Sequence, residues 1–186
     1  MSSTAWTAPY TRTAKSLHWI MALIILDVMV MGFYMQDLPL SPEKLQLYSW
    51  HKWGGVSVML LLLIRVSWRL THRPPALPWM MPRLQQTIAH IGHLAFYGLM
   101  LAIPLSGWLM SSAKGFQTVW FGVVPIPDLL AKDKAWGELL QTVHLSLNLT
   151  FIAILVAHVG ASLKHHFIDR DDILTRMLPQ GRNRTH

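Results

Sequence analysis

Hydrophobic and polar residues do not alternate along this chain; the apolar ones gather in four long blocks. The first runs from about Leu17 to Met35 and is broken only by His18 and Asp27. The second runs from about Trp50 to Leu70, with an apolar centre from Gly54 to Ile64, and Arg65 and Arg69 near its end must snorkel to an interface. The third, from about Ala89 to Met110, holds Pro104, which a membrane helix tolerates because neighbouring groups re-satisfy the freed carbonyl. The fourth runs from about Thr142 to Leu163. Each approaches the roughly 20 residues that cross a bilayer as a helix. The pattern predicts an all-α fold: an integral membrane four-helix bundle, with residues 1–186 as one domain.

The connections set the expected orientation. Arg12, Lys15, Arg65, Arg69, Arg73, Arg83, Lys164, Arg170, Arg176, Arg182 and Arg184 collect on one side, and Lys44, Lys52, Lys114, Lys132 and Lys134 on the other. Positively charged loops stay in the cytoplasm. The split therefore places the N- and C-termini cytoplasmic, together with the loop between the second and third spans. Asp169, Asp171 and Asp172 leave that side strongly positive, while Asp37, Glu43, Asp128, Asp133 and Glu138 neutralise the other. Trp19 and Trp68 at the inner ends, and Trp50, Trp53 and Trp108 at the outer, form the aromatic belts expected at the two interfaces. The first apolar run is too long for a signal core, and no A-x-A site follows it. Pro74, Pro75, Pro78 and Pro82 predict a stiff, non-helical inner loop. The outer connection from Ser111 to Trp136 is the longest and has room for a short interfacial segment.

Composition sharpens this picture in two ways. Charged residues make up 13% of the chain, about half the share of a soluble domain, so the net charge of +7 is a topology signal and not a sign of nucleic acid. Cysteine is absent, which excludes iron–sulfur clusters, zinc ribbons, thiol catalysis and c-type haem attachment. Against that background, 10 histidines in an apolar chain need a reason.

Four of them lie at informative depths. His18 falls at the inner end of the first span, His51 at the outer end of the second, and His144 and His158 near the outer and inner ends of the fourth. His144 and His158 are about 21 Å apart along a helix and within about 40° of one face. His51 matches the first in depth and His18 the second. Two such pairs suit bis-histidine ligation of two b-type haems, since the iron needs trans imidazoles from opposite sides of the porphyrin. The competing reading makes the same imidazoles buried polar links between helices. Gly54, Gly55 and Gly160 lie within a turn of His51 and His158, where small residues would let a flat macrocycle approach the backbone.

The other polar positions stay open. His90 and His93, one turn apart, are candidates to compete with His18 as ligand, to bond a haem propionate or to line a quinone pocket, with plain interfacial polarity as the alternative. Arg65, Arg69 and Arg73 are placed to neutralise propionates or to meet phospholipid phosphate. Asp27 is the acid within a span; a protonated hydrogen bond to another helix is expected of it ahead of a proton relay. His165 and His166 are expected to cap the fourth helix or meet headgroups, and His72 and His186 to be solvated. Met21, Met29, Met31 and Met35 read as packing, and Pro104 with Gly107 as a kink and a close-packing point.

Taken in order, several stretches resemble the bacterial cytochrome b561 family. They are Ser16-Leu17-His18-Trp19, His51-Lys52-Trp53-Gly54, Arg65-Val66-Ser67-Trp68-Arg69, and Ala89-His90-Ile91-Gly92-His93 leading to Tyr97. Ile103-Pro104-Leu105-Ser106-Gly107, Trp120-Phe121-Gly122, His144, His158, Lys164-His165-His166-Phe167 and the tail from Asp171 to Pro179 follow. The resemblance implies a small inner-membrane protein with two haem b groups. His18 and His158 match the family's ligands for the haem nearer the cytoplasm, and His51 and His144 those for the haem nearer the periplasm. It further implies electron exchange with ubiquinone and ubiquinol, and in one branch oxidation of periplasmic superoxide. For that activity the outer-face charges Lys52, Lys114, Lys132 or Lys134 are the candidates to steer the anion. The alternatives are a haem-bearing anchor that docks a dehydrogenase, a hydrogenase or a periplasmic redox protein, and, further off, a haem-free proton or metal transporter. Asp27 is not part of the family pattern.

Overall fold

A computed structural model describes residues 9–76 and 81–179. Pro78, Arg182, Arg184 and His186 lie outside the described residues. Four long helices carry the fold: α1 (Arg12–Gln36), α2 (Pro42–Thr71), α3 (Arg83–Ala113) and α4 (Lys134–Lys164). All four are long and apolar enough to cross a membrane. Each runs further than its apolar block, because a helix continues into the interface until a cap stops it. Thr11 accepts from the Ala14 N–H, Ser41 from Lys44 with Pro42 in the first turn, and Asp133 from Trp136. Pro104 sits inside α3 without interrupting it.

The helices pack in sequence, α1 on α2, α2 on α3 and α3 on α4, whereas α1 and α4 hardly touch and neither do α2 and α4. A core of Met21, Val58 and Leu62 forms where α1 and α2 meet, closed by Tyr97 and Met100 from α3. Much of the remaining apolar surface faces outward, as lipid requires: Leu23, Val30, Leu63, Leu94 and Val156 are all exposed.

The long connection between α3 and α4 holds a two-stranded antiparallel sheet, where the sequence suggested only a short interfacial segment. β1 (Thr118–Trp120) pairs with β2 (Val124–Ile126) across a turn in which Phe121 and Gly122 both take positive φ. The strands are three residues each, too brief for periodicity to reveal. Tryptophans hold the hairpin to the bundle. Trp53 Nε1 donates to the Val119 carbonyl at 2.7 Å, Trp108 Nε1 to Pro127 at 3.0 Å, and Trp120 Nε1 to Ser57 Oγ at 3.4 Å.

At the other end of the bundle the chain leaves α4 through a π-helical turn (His165–Asp169) and returns in a short helix, α5 (Ile173–Met177). Arg170 is left-handed at φ 54°, which reverses the chain. His165 caps α4, as expected, its backbone N–H donating to the Ala161 and Ser162 carbonyls, and its ring turns to the C-terminal segment: Nδ1 lies 2.6 Å from Asp171 Oδ2 and 3.1 Å from Asp169 Oδ2. Buried Lys15 donates to the Leu178 carbonyl at 2.9 Å, and Trp19 to Met177 at 3.0 Å. Buried Arg176 donates to Ala76 at 2.8 Å and pairs with Asp172 at 2.9 Å. The C-terminal segment is thus laced across this arginine-rich end.

Candidate haem-binding histidine pairs

The structure brings the four depth-matched histidines into two pairs. The ring centres of His51 and His144 are 6.3 Å apart near the hairpin end, and those of His18 and His158 are 6.5 Å apart near the arginine-rich end. Two imidazoles bound trans to one metal at about 2 Å have ring centres about 6 Å apart. Each pair also joins helices that do not pack directly, α2 with α4 and α1 with α4. A flat group inserted between such helices need displace no packed interface.

At the hairpin end the rings are fixed by their own backbone surroundings. His51 Nδ1 lies 2.9 Å from the Val28 carbonyl, and His144 Nδ1 lies 3.0 Å from the Ile103 carbonyl and 3.0 Å from Ser106 Oγ. A carbonyl only accepts, so both Nδ1 atoms carry the proton and both Nε2 atoms keep a free lone pair. This is the arrangement that sets a histidine to bind metal through Nε2. The same local device produces it twice. Gly32 follows Val28 by one helical turn, and a Cβ there would sit 3.0 Å from His51 Cε1. Gly107 follows Ile103 by one turn, and a Cβ there would sit 3.1 Å from His144 Cε1. In each case the missing side chain lets the ring lie against the helix and reach a carbonyl already used within it. Between the two rings opens a mainly apolar cavity of about 60 Å³, walled by Ile25, Met29, Gly55, Met100, Pro104 and Phe151, with Asn148 at its edge. The donors and the apolar walls fit a b-type haem.

The arginine-rich end differs. Arg65 stands beside His18, its two guanidinium nitrogens 3.4 Å from Nδ1, beyond normal hydrogen-bond length, so this contact fixes no tautomer. His158 is flanked by Phe96 at 5.3 Å and by His93 at 6.0 Å between ring centres, so three imidazoles gather here. His93 and His158 sit on α3 and α4, which pack directly, and leave less room between them than His18 and His158 do. His90 turns to its own helix, with Nδ1 2.6 Å from the Gln86 carbonyl, and stays exposed outside the cluster. A second cavity is lined by Arg65, Arg69 and Arg73 with Tyr10, Trp68 and Tyr97 and has no acidic residue in its wall. Arg69 lies over the Tyr97 ring at 5.7 Å.

Of the glycines named from sequence, Gly55 alone borders the first cavity. Gly54 instead faces Val28 and Ile24 of α1, and nothing lies within 4 Å of a Cβ at Gly160. Close helix contact explains the first, and Gly160 has no such role in this structure. Asp27 is exposed on α1 and, among the described residues, bonds to no other helix, contrary to the expectation.

Residues 9–180 match the family model described as prokaryotic cytochrome b561. The chain belongs to that family. Among curated relatives, cytochrome b561 homolog 2 of Escherichia coli (strain K12) is 36% identical, over 96% of this chain and 95% of its own. Cytochrome b561 homolog 1 of the same organism is 27% identical over 92% and 97%. A probable superoxide oxidase, CybB, of Yersinia pestis is 25% identical over 93% and 97%. Cytochrome b561 membership makes this a multi-pass bacterial membrane protein that binds b-type haem and carries electrons. Sequence reasoning missed Gly32, the carbonyl acceptors and the Ser106 hydroxyl. The signal was a glycine one turn beyond the accepting residue, and only the helix pairing makes it visible.

Proposed function

We propose that this cytochrome b561 holds two haem b groups in one membrane domain of residues 1–186 and carries electrons across the bacterial inner membrane, both termini in the cytoplasm. His51 and His144 would ligate the periplasmic haem, and His18 and His158 the cytoplasmic one. The two imidazole pairs at 6.3 and 6.5 Å, each bridging helices that do not pack together, support this reading most directly. Each haem, held by its two histidines, would supply a one-electron carrier. The chain supplies placement, ring orientation and an apolar surround. Arg65 and Arg69, on the wall of the second cavity, would receive the propionates of the cytoplasmic haem, with His93 at a propionate or a quinone. His90, exposed and one turn from His93, would stand at the outer edge of the same propionate or quinone site.

The reaction this arrangement serves is oxidation of superoxide at the hairpin face with ubiquinone as acceptor. Two superoxide anions leave as dioxygen, and the quinone takes their two electrons with two protons to become quinol. The relative named a probable superoxide oxidase supports the donor. So do the cations near the hairpin: Lys52 donates to the Phe116 carbonyl at 3.0 Å, while Lys132 packs over Gly115 and Lys114 over Gly137.

A pyridine haemochrome assay on the purified protein should give two haem b per chain. A ratio near one removes one pair, and a ratio near zero refutes the reading. Stopped-flow mixing with superoxide should reduce the haem near the diffusion limit. Slow reduction would transfer the function to a docked dehydrogenase or soluble redox protein.

A further inference from the structure

Where α4 ends, three metal-ligating side chains converge away from both histidine pairs. His165 Nδ1 lies 2.6 Å from Asp171 Oδ2 and 3.1 Å from Asp169 Oδ2, and one donor atom from each residue falls within 4.8 Å of the others. The backbone builds this meeting. His165 and Asp169 share a face at four residues' spacing, whereas in a continuing helix residue 171 would stand about 120° away from residue 165. The left-handed Arg170 turns the chain back, and the Asp171 N–H donates to the His165 carbonyl at 3.1 Å. The three side chains are 15%, 31% and 25% exposed, sheltered yet within reach of solutes.

A proton does not satisfy this arrangement. His165 Nδ1 carries one hydrogen at most, and two carboxylate oxygens face it. Asp169 has a further partner in Lys164, whose half-exposed Nζ lies 2.8 and 2.6 Å from its two oxygens. Exposed pairs of this kind contribute little, so the lysine gives up Asp169 to a stronger cation. Ligands at about 2.0–2.2 Å from a tetrahedral zinc ion stand roughly 3.3–3.6 Å from one another, a spacing the three donor atoms reach with shifts of about an ångström. The donor set also selects among cations. One imidazole nitrogen with two carboxylate oxygens suits zinc and its first-row neighbours, whereas magnesium and calcium take oxygen alone.

We propose that His165, Asp169 and Asp171 bind one divalent transition-metal ion of the zinc class, with water at the position left open. The ion ties the end of α4 to the C-terminal segment. That segment in turn takes Lys15 and Trp19 of α1 on its Leu178 and Met177 carbonyls. The site therefore braces α4 to α1, two helices that hardly touch directly. None of this depends on the number of haems or on the reaction they serve.

The test is a zinc titration of the full chain in phosphatidylcholine nanodiscs, stripped of metal by a chelator and followed with a fluorescent zinc indicator. One zinc should bind per chain, X-ray absorption at the zinc edge should show one imidazole in an otherwise oxygen shell, and excess magnesium should not displace it. Asp171→Asn keeps the Oδ1 that accepts from the Ile173 N–H at 3.1 Å, yet should weaken zinc at least about tenfold, since losing even a ligand's outer partner costs about 10–100-fold. His165→Gln should weaken it likewise. Lys164→Gln removes the competitor for Asp169 and should tighten zinc several-fold, which a merely structural ion-pair cluster would not do. Zinc should protect the C-terminal segment of the parent from limited proteolysis and give Asp171→Asn no such protection. Haem absorbance reports that each variant is folded, and if His165→Gln loses it, Asp171→Asn decides. Absence of bound zinc, its displacement by magnesium, or a Lys164→Gln protein that binds no tighter overturns the proposal. So does an affinity that Asp171→Asn leaves unchanged, which would put the ion on an exposed imidazole such as His90.

Discussion

Changing Gly54 to alanine tests how near α1 must come to α2 for His51 to keep its carbonyl. A Cβ at this position overlaps Val28 Cγ1 and lies 3.6 Å from Val28 Cβ and 4.0 Å from Ile24 Cγ2. Val28 cannot swing aside, because valine in a helix has essentially one χ1 rotamer. Relief requires α1 to move outward at the residue whose carbonyl accepts from His51. Overpacking of this kind costs about 1–3 kcal/mol. Alanine's better helix propensity returns about 1 kcal/mol, and a lost hydrogen bond adds about 0.5–1.5 kcal/mol. The net is a loss of about 2 kcal/mol, which should lower the thermal midpoint of haem retention in detergent by about 4–8 °C. The low-spin electron paramagnetic resonance signal of the hairpin-end site should change, and the other should not. Adding Val28→Ala removes the colliding methyl groups and should recover most of the hairpin-end signal, as a coupled pair does in a double-mutant cycle. A Gly54→Ala protein as stable as the parent, with both signals unchanged, would refute the reasoning.

Four further outcomes are expected. Ser106→Ala leaves His144 its Ile103 partner at 3.0 Å, so it should cost no more than about 1 kcal/mol and keep both haems; haem loss on purification would contradict this. Asp27→Leu replaces an exposed acid in the middle of α1 and should raise thermal stability, since a central acid costs about 2.5–3.5 kcal/mol in a membrane helix; a fall in stability would show a partner for Asp27 outside the chain. Arg176→Met unties the C-terminal segment from Ala76 and Asp172 and should open it to limited proteolysis, with both haem signals kept; an unchanged digestion pattern would count against the lacing. His18→Ala should abolish the low-spin signal of the arginine-rich site while His93→Ala preserves it, and the reverse result would make His93 the ligand.

The helices were legible because lipid imposes a length and a composition that few other folds need. Their ends were not, since Thr11, Ser41 and Asp133 stop them by side-chain capping several residues beyond the apolar blocks. The hairpin escaped for another reason. Its strands are held by tryptophans that read as interface markers, yet Trp53 and Trp108 donate to hairpin carbonyls at 2.7 and 3.0 Å. The amphipathic character of tryptophan produces both signatures, so the sequence pattern alone does not separate them. Gly54 shows the same ambiguity: closeness in sequence to His51 suggested room for a macrocycle, while its actual neighbour is a valine on another helix.

Depth along a helix was enough to pair His51 with His144 and His18 with His158, because depth follows from residue counting at a fixed rise. Depth could not separate His18 from His93, which both reach His158 at a suitable spacing, 6.5 and 6.0 Å. What separates them is the packing order of the helices. A porphyrin must lie between its two ligands, so the ligands belong on helices that leave a gap. α3 and α4 are packed together over much of their length and α1 and α4 are not. On that ground His18 is the proposed partner of His158 across a macrocycle, with His93 on the packed side. On the proposed assignment α4 would serve both sites without packing on either α1 or α2, so that one helix would carry a ligand near each face of the membrane. The imidazoles come from the sequence pattern, but the space between them comes from which helices decline to touch.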